Sequence, residues 1–115
     1  MKILDEINAG ICDGITYAEL DEKYPMDAKE RKSDKLRYRY PRGESYLDLI
    51  NRVEPILFEI ERSKEPVLVI AHQAVIRCLY AYFSKNEIAD VPHLSVPLHT
   101  VIKLNPETYF CHEYR

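Results

Sequence analysis

Cysteine is sparse in this chain of 115 residues, long apolar runs are missing, and neither sign of charge dominates. The three cysteines, Cys12, Cys78 and Cys111, are odd in number and far apart, which speaks against the disulfide framework of a small secreted domain and for reduced packing thiols. No stretch approaches the roughly 18 apolar residues of a membrane-spanning helix, and Met1-Lys2-Ile3 runs into acidic sequence rather than a signal-peptide core. No repeat or low-complexity tract is present. A formal net charge of −3, with 46% hydrophobic and 30% charged residues, gives no sign of disorder. These absences leave one cytosolic domain at most, long enough for a core but short for a doubly wound α/β domain.

The most informative stretch is Val67-Leu68-Val69-Ile70-Ala71-His72. Five apolar residues, mostly β-branched, read as a strand buried on both faces, and Val75, Cys78, Leu79 and Tyr82 form the stripe of a helix over Gln73 to Phe83 packing back onto it. His72 then stands at the carboxyl end of a strand, where open α/β sheets bind ligands and the next helix offers free N–H groups to an anion. A histidine that merely caps the strand fits these residues equally well. Gln73 and Arg77, four residues apart on one helix face, add two phosphate-competent groups and favour the binding reading.

Charge is unevenly spread. Between Lys29 and Arg42 stand seven basic residues (Lys29, Arg31, Lys32, Lys35, Arg37, Arg39, Arg42) and two acidic ones, in a chain that is otherwise acidic. Interleaved with Tyr38 and Tyr40, this block has the ingredients of a nucleic-acid surface. The acidic remainder argues against that use, and a compact cationic segment suits a small polyanionic substrate better. A solvated face with its own ion pairs accounts for about half of these residues.

Residues 1–41 carry only a weak helical stripe at Tyr17, Leu20 and Tyr24, broken by Gly10, Gly14 and Pro25, and read as a cap or substrate-binding segment. Residues 42–115 read as the core. Tyr46, Leu49, Ile50, Val53, Ile56, Leu57 and Ile60 mark a helix between Glu44 and Arg62, with Ser45 and Asp48 as a capping box and Pro55 predicting a kink or a late start. Residues 86–97 read as a loop, and Val101 to Leu104 with Tyr109 to Tyr114 as an edge hairpin around Asn105-Pro106. Glu6, next to small residues Ala9-Gly10, is a candidate general acid, although 19 acidic residues make any one a weak choice. Cys111-His112 and His93/His99 lack a metal-site spacing.

Three strings, LDEINAGICDGITYAEL, KLRYRYPRGESYLDLINRVEPI and VLVIAHQAVIRCLYAYF, resemble the bisphosphatase domain of the 6-phosphofructo-2-kinase/fructose-2,6-bisphosphatase family, within the histidine phosphatase (phosphoglycerate mutase-like) superfamily. The resemblance implies an α/β fold with a mixed sheet and flanking helices, and hydrolysis of the 2-phosphate of fructose 2,6-bisphosphate to fructose 6-phosphate through a phosphohistidine. Glu6 would protonate the leaving sugar oxygen and then activate water, and His72 would be the second histidine of the phosphate pocket. Tyr17, Arg31, Lys35, Arg39, Tyr46, Gln73 and Arg77 would hold the sugar and its phosphates. It implies no cofactor for the phosphatase, ATP only through a kinase half absent from this sequence, and a homodimer in the parent protein.

The departure from the family is as informative. Its phosphatase domains begin with a strand ending in Arg-His-Gly, whose histidine is the nucleophile, whereas His72, His93, His99 and His112 neither follow Arg nor precede Gly. No G-x-x-x-x-G-K-[ST] phosphate loop is present either. The sequence therefore reads as a partial, carboxyl-terminal part of the domain, first strand missing, inactive alone. An inactive phosphosugar-binding or partner-binding fragment is the alternative, and no nucleic-acid or membrane partner is expected.

Overall fold

The computed structural model describes residues 2–97, 100–105 and 110–114, with residues 105 and 110–114 traced by backbone. In order, two 3-10 turns, Lys2–Leu4 and Gly10–Cys12, precede four α-helices: α1 (Tyr17–Lys23), α2 (Pro25–Ser33), α3 (Tyr46–Arg62) and α4 (Gln73–Phe83). A 3-10 helix at Ile88–His93 and the strands β1 (Val101–Asn105) and β2 (Phe110–Tyr114) follow. Among the described residues no helix is long and apolar enough to cross a membrane.

Helix α3 begins where its capping box dictates. Asp48 N–H donates to Ser45 Oγ at 3.1 Å and Ser45 N–H donates to Asp48 Oδ2 at 2.9 Å, so two of the helix's orphan donors are satisfied reciprocally. Tyr46, Leu49, Val53 and Leu57 are its buried face. The late start expected from Pro55 does not occur: the helix runs through it from Tyr46, because Pro55 and Asn51 lie on the exposed side, where water can serve the carbonyl that loses its N–H partner.

Helix α4 presents Ala74, Val75, Cys78, Leu79, Ala81 and Phe83 inward, and it packs on α3. Leu49, Val53 and Val75 are fully excluded from solvent, so the α3–α4 seam is the centre of the core. A second, smaller cluster of Cys12, Leu20 and Ala28 lies under α1 and α2. Pro25 is more than a breaker. It follows the residue that ends α1 and opens α2 at the first turn, where a missing N–H costs nothing.

Two expectations need correction. Residues 67–71 are not a buried strand: no backbone hydrogen bond joins them to another described residue, and Leu68 and Ile70 are 79% and 85% exposed. A run of this composition forms a ladder only against neighbouring strands, and the one sheet among the described residues is the two-stranded pair β1–β2. Residues 86–97 are not simply a loop, since Ile88–His93 winds into a 3-10 helix that buries Val91 and Pro92. The two expected strands pair antiparallel, with Val101 opposite Tyr114 and Asn105 opposite Phe110, while Pro106 and Tyr109 of the expected hairpin lie outside the described residues.

Candidate functional site

The first residues of α4 organise one end of the site. His72 is its N-cap in extended conformation, makes no side-chain cap bond and is exposed, as is Gln73. Glu6 comes to the same helix end from far away in sequence. Its Oε1 accepts from Ile7 N–H at 2.9 Å and its Oε2 from Ala74 N–H at 3.4 Å, so a carboxylate stands at the positive end of the helix dipole. Backbone fit brings it there. A Cβ on Gly10, at φ +56°, would meet the Pro41 carbonyl oxygen at 1.9 Å, and Glu44 N–H donates to Asn8 O at 2.6 Å, so residues 8–10 lie directly on the turn before α3.

A short arc of side chains leads from Glu6 to a group of cations. Arg77 donates through Nη1 to Tyr46 Oη at 2.8 Å and through Nε to Leu94 O at 3.0 Å. Burial pushes the Tyr46 phenol up, against the pull of Arg77, and the Glu6 charge adds to the rise. Lys35 donates through Nζ to Pro92 O at 2.9 Å. Its pKa is lowered to about 8, by burial first and then by the charges of Arg31 and Arg77, which places three cations in one neighbourhood. Arg31 is held by tyrosines, donating to Tyr40 Oη at 3.0 Å and Tyr17 Oη at 3.4 Å with its guanidinium 4.6 Å from the Tyr17 ring centre.

Cations this close repel one another, and an anion set among them would offset that repulsion. Arg31, Lys35 and Arg77 form one cationic group, with Tyr17 exposed and Tyr46 buried. Arg39, expected beside Arg31 and Lys35, is placed elsewhere. Its guanidinium is bidentate to Asp48, Nε to Oδ2 at 2.7 Å and Nη2 to Oδ1 at 2.9 Å, and it supports the capping box of α3. Within the basic block Lys32 pairs with Asp21 and Arg37 with Asp34, which occupies cations that a nucleic-acid surface would present. Among the described residues no group of three His, Cys, Asp or Glu is placed to hold a metal ion. His99 lies outside the described residues, and nothing is described of the His112 or Cys111 side chains.

Two residues absent from the sequence-based selection carry the acid's segment. Arg52 donates to the carbonyl oxygens of Ile3, Asp5 and Glu6 and pairs with Glu44. Partners more than forty positions apart leave no periodic trace in a sequence.

Beside His72 opens an apolar groove of about 590 Å³. Residues 67–72 form one wall, Val101, Ile102 and Leu104 line it from β1, and Ile76, Leu79 and Phe83 line it from α4.

Comparison with known proteins identifies a family. The profile of the histidine phosphatase superfamily, branch 1, matches residues 1–112. The chain is 56% identical over 103 residues to a 6-phosphofructo-2-kinase/fructose-2,6-bisphosphatase of Arabidopsis thaliana, covering 90% of this chain and 14% of that protein. It is 54% identical over 108 residues to a fructose-2,6-bisphosphatase of Saccharomyces cerevisiae, covering 94% and 24%. It thus spans a quarter or less of the length of these relatives. Among solved structures, a mycobacterial glucosyl-3-phosphoglycerate phosphatase in complex with inorganic phosphate is similar at a TM-score of 0.67 and 27% identity, over 83% of this chain and 50% of the other. A second structure of that phosphatase, with VO3, reaches a TM-score of 0.72 at 23% identity over 98% of this chain and 60% of the other, a likeness of fold alone.

Proposed function

Because the chain belongs to the histidine phosphatase superfamily, branch 1, we propose that it supplies the acid and the substrate-holding side of a fructose-2,6-bisphosphatase site. The observation that carries this reading is the convergence of Arg31, Lys35 and Arg77 on one side of an arc that ends at Glu6 and His72. A sugar with two phosphates needs a cationic holding point separate from the point of chemistry, and the arc offers both. The identity to the yeast fructose-2,6-bisphosphatase supports the same substrate.

The reading implies the following mechanism. An imidazole nitrogen attacks the 2-phosphoryl group, the bond from phosphorus to the sugar 2-oxygen breaks, and its electron pair leaves with the oxygen, which takes a proton from Glu6. The resulting phosphohistidine is hydrolysed when the Glu6 carboxylate removes a proton from water and the water oxygen attacks phosphorus; the P–N bond breaks, its electron pair returns to the imidazole nitrogen, and phosphate is released. His72 and the N–H groups at the start of α4 face the charge that develops on the phosphoryl oxygens. In this reading the nucleophile comes from an Arg-His-Gly strand, which this sequence does not contain. The apolar groove between residues 67–72 and β1 supports that placement, because it opens beside His72 and is walled on two sides by extended chain.

Titration of the chain with fructose 6-phosphate and with inorganic phosphate, followed by calorimetry or amide shifts, tests the holding role. Binding that Arg31→Ala and Arg77→Ala weaken is the expected result, and binding indifferent to both rejects it. A second reading, a phosphosugar binder without turnover, is favoured for the 115 residues alone by their lack of an Arg-His-Gly histidine.

A further inference from the structure

We infer that Arg52, working with Glu44, is a positioning residue that sets where the Glu6 carboxylate stands against the start of α4; the inference rests on the reading of Glu6 as the acid. Glu6 lies on a stretch between 3-10 turns, and a side chain there has no helix or sheet to fix it. Arg52 replaces that missing scaffold. Its Nη1 donates to Ile3 O at 2.7 Å and its Nη2 to Asp5 O at 2.9 Å and, at longer range, to Glu6 O at 3.4 Å. The other side of the fork, Nε and Nη2, reaches Glu44 Oε2 at 3.0 Å and Oε1 at 3.1 Å.

Glu44 completes the hold by accepting from Asn8 N–H at 2.9 Å. Carbonyls on one side of Glu6 and an amide on the other are thus fixed to two side chains near the beginning of α3. Both are only about a quarter exposed, at 24% for Arg52 and 21% for Glu44, so the bonds are shielded from competing water. The neighbouring thiol reports the same closeness: the Cys78 pKa is raised to about 12, by burial first and then by the Glu6 charge, with Arg52 opposing the rise. Five hydrogen bonds from three nitrogens to four residues is a task for a planar guanidinium. A lysine in the same place keeps the charge but cannot span the fork.

The test reads the Ala74 amide, whose N–H meets Glu6 Oε2. In the full 115-residue chain, the Ala74 amide is expected to be shielded from solvent exchange by its Glu6 partner, so Glu6→Ala should speed its exchange. Arg52→Lys should speed it too while the far-ultraviolet spectrum and the other α4 amides stay as they are. Glu44→Gln, which keeps shape but weakens the fork, should give a smaller rise and serves if Arg52→Lys does not fold. An exchange rate unchanged in both clamp variants overturns the inference, and so does one that Glu6→Ala leaves unchanged. Turnover of Glu6→Gln decides the acid role separately, so failure of that reading is distinguishable from failure of the placement.

Discussion

The Lys35 ammonium donates to the Pro92 carbonyl oxygen at 2.9 Å, which ties the turn after α2 to the 3-10 helix that follows α4. One bond to a neutral carbonyl does not balance a half-buried charge that also faces Arg31 and Arg77. If these three cations hold phosphate, its affinity should depend on each of them.

Replacing Lys35 with Ala should weaken phosphosugar binding by roughly 1.5–3 kcal/mol, the range for a lost charge-assisted bond, or about ten- to 150-fold in Kd. Lys64→Ala is the control, since Lys64 is exposed and lies outside the arc. Calorimetry with fructose 6-phosphate on both variants checks the difference. Equal affinities would remove Lys35 from the site.

Lys35 also fixes a pH dependence. Its pKa is lowered to about 8 in the fold, from an ordinary value of 10.5, by burial first and then by Arg31 and Arg77. Below about pH 8 the residue is charged in the folded and the unfolded chain alike, and its penalty on stability is fully present. Between about 8 and 10.5 the unfolded chain holds a proton that the folded chain has lost, so this group makes stability rise with pH. Phosphate affinity should fall through the same region, because the holding charge disappears while a phosphate ester, with a second pKa of about 6, stays fully ionised. Denaturation and binding curves of the native chain and Lys35→Met, compared at several pH values, isolate both effects.

A second rise of stability with pH belongs to Asp48, in the acid range and through a charge that stabilises the fold. The Arg39 guanidinium, followed by the Ser45 N–H, holds its carboxyl well below the usual carboxylate range. Its contribution is present above about pH 4, the ordinary aspartate value, and is lost as pH falls further. Asp48→Asn should flatten the acid limb of the stability curve, and Ser45→Ala should cost about 1 kcal/mol by removing the cap. An acid limb unchanged by Asp48→Asn would show that the capping box contributes nothing there.

Much of this was legible in the sequence, and the reasons differ by element. Helix α3 announced itself because its apolar residues repeat every three or four positions and its capping box lies within four residues, both local signals. Val67 to Ala71 misled because a strand is a property of its neighbours as much as of its own residues. Arg39 shows a similar limit: its charge was readable, but its bidentate partner Asp48 was not. Glu6 drew its weight from the family resemblance, and Arg52, which holds its segment, gave no local sign.

Glu6→Gln keeps shape but can neither give nor take the proton. In a protein carrying both this chain and the Arg-His-Gly strand, kcat should fall by about 10²–10⁴ with substrate affinity roughly kept. His72→Ala should also slow turnover, since it removes a donor from the phosphoryl group. An intact kcat and pH–rate profile in Glu6→Gln would refute the acid role.

The last expectation concerns the 115 residues on their own. Phosphoryl transfer through phosphohistidine needs an imidazole in line with phosphorus, and placement of the substrate cannot replace a missing attacking group. Meanwhile Leu68 and Ile70 stand almost wholly in water beside a groove of about 590 Å³, an arrangement that invites pairing with any extended chain. The isolated chain should therefore release no phosphate from fructose 2,6-bisphosphate and should self-associate as its concentration rises. Leu68→Lys with Ile70→Lys should suppress that association, because charges on an open edge oppose pairing. A synthetic Arg-His-Gly strand peptide should compete with association and restore turnover, and the two charged substitutions should weaken its effect. Sedimentation and phosphate release, measured on the same samples, check the coupling: turnover without the peptide, abolished by His72→Ala, would mean that His72 itself is the nucleophile.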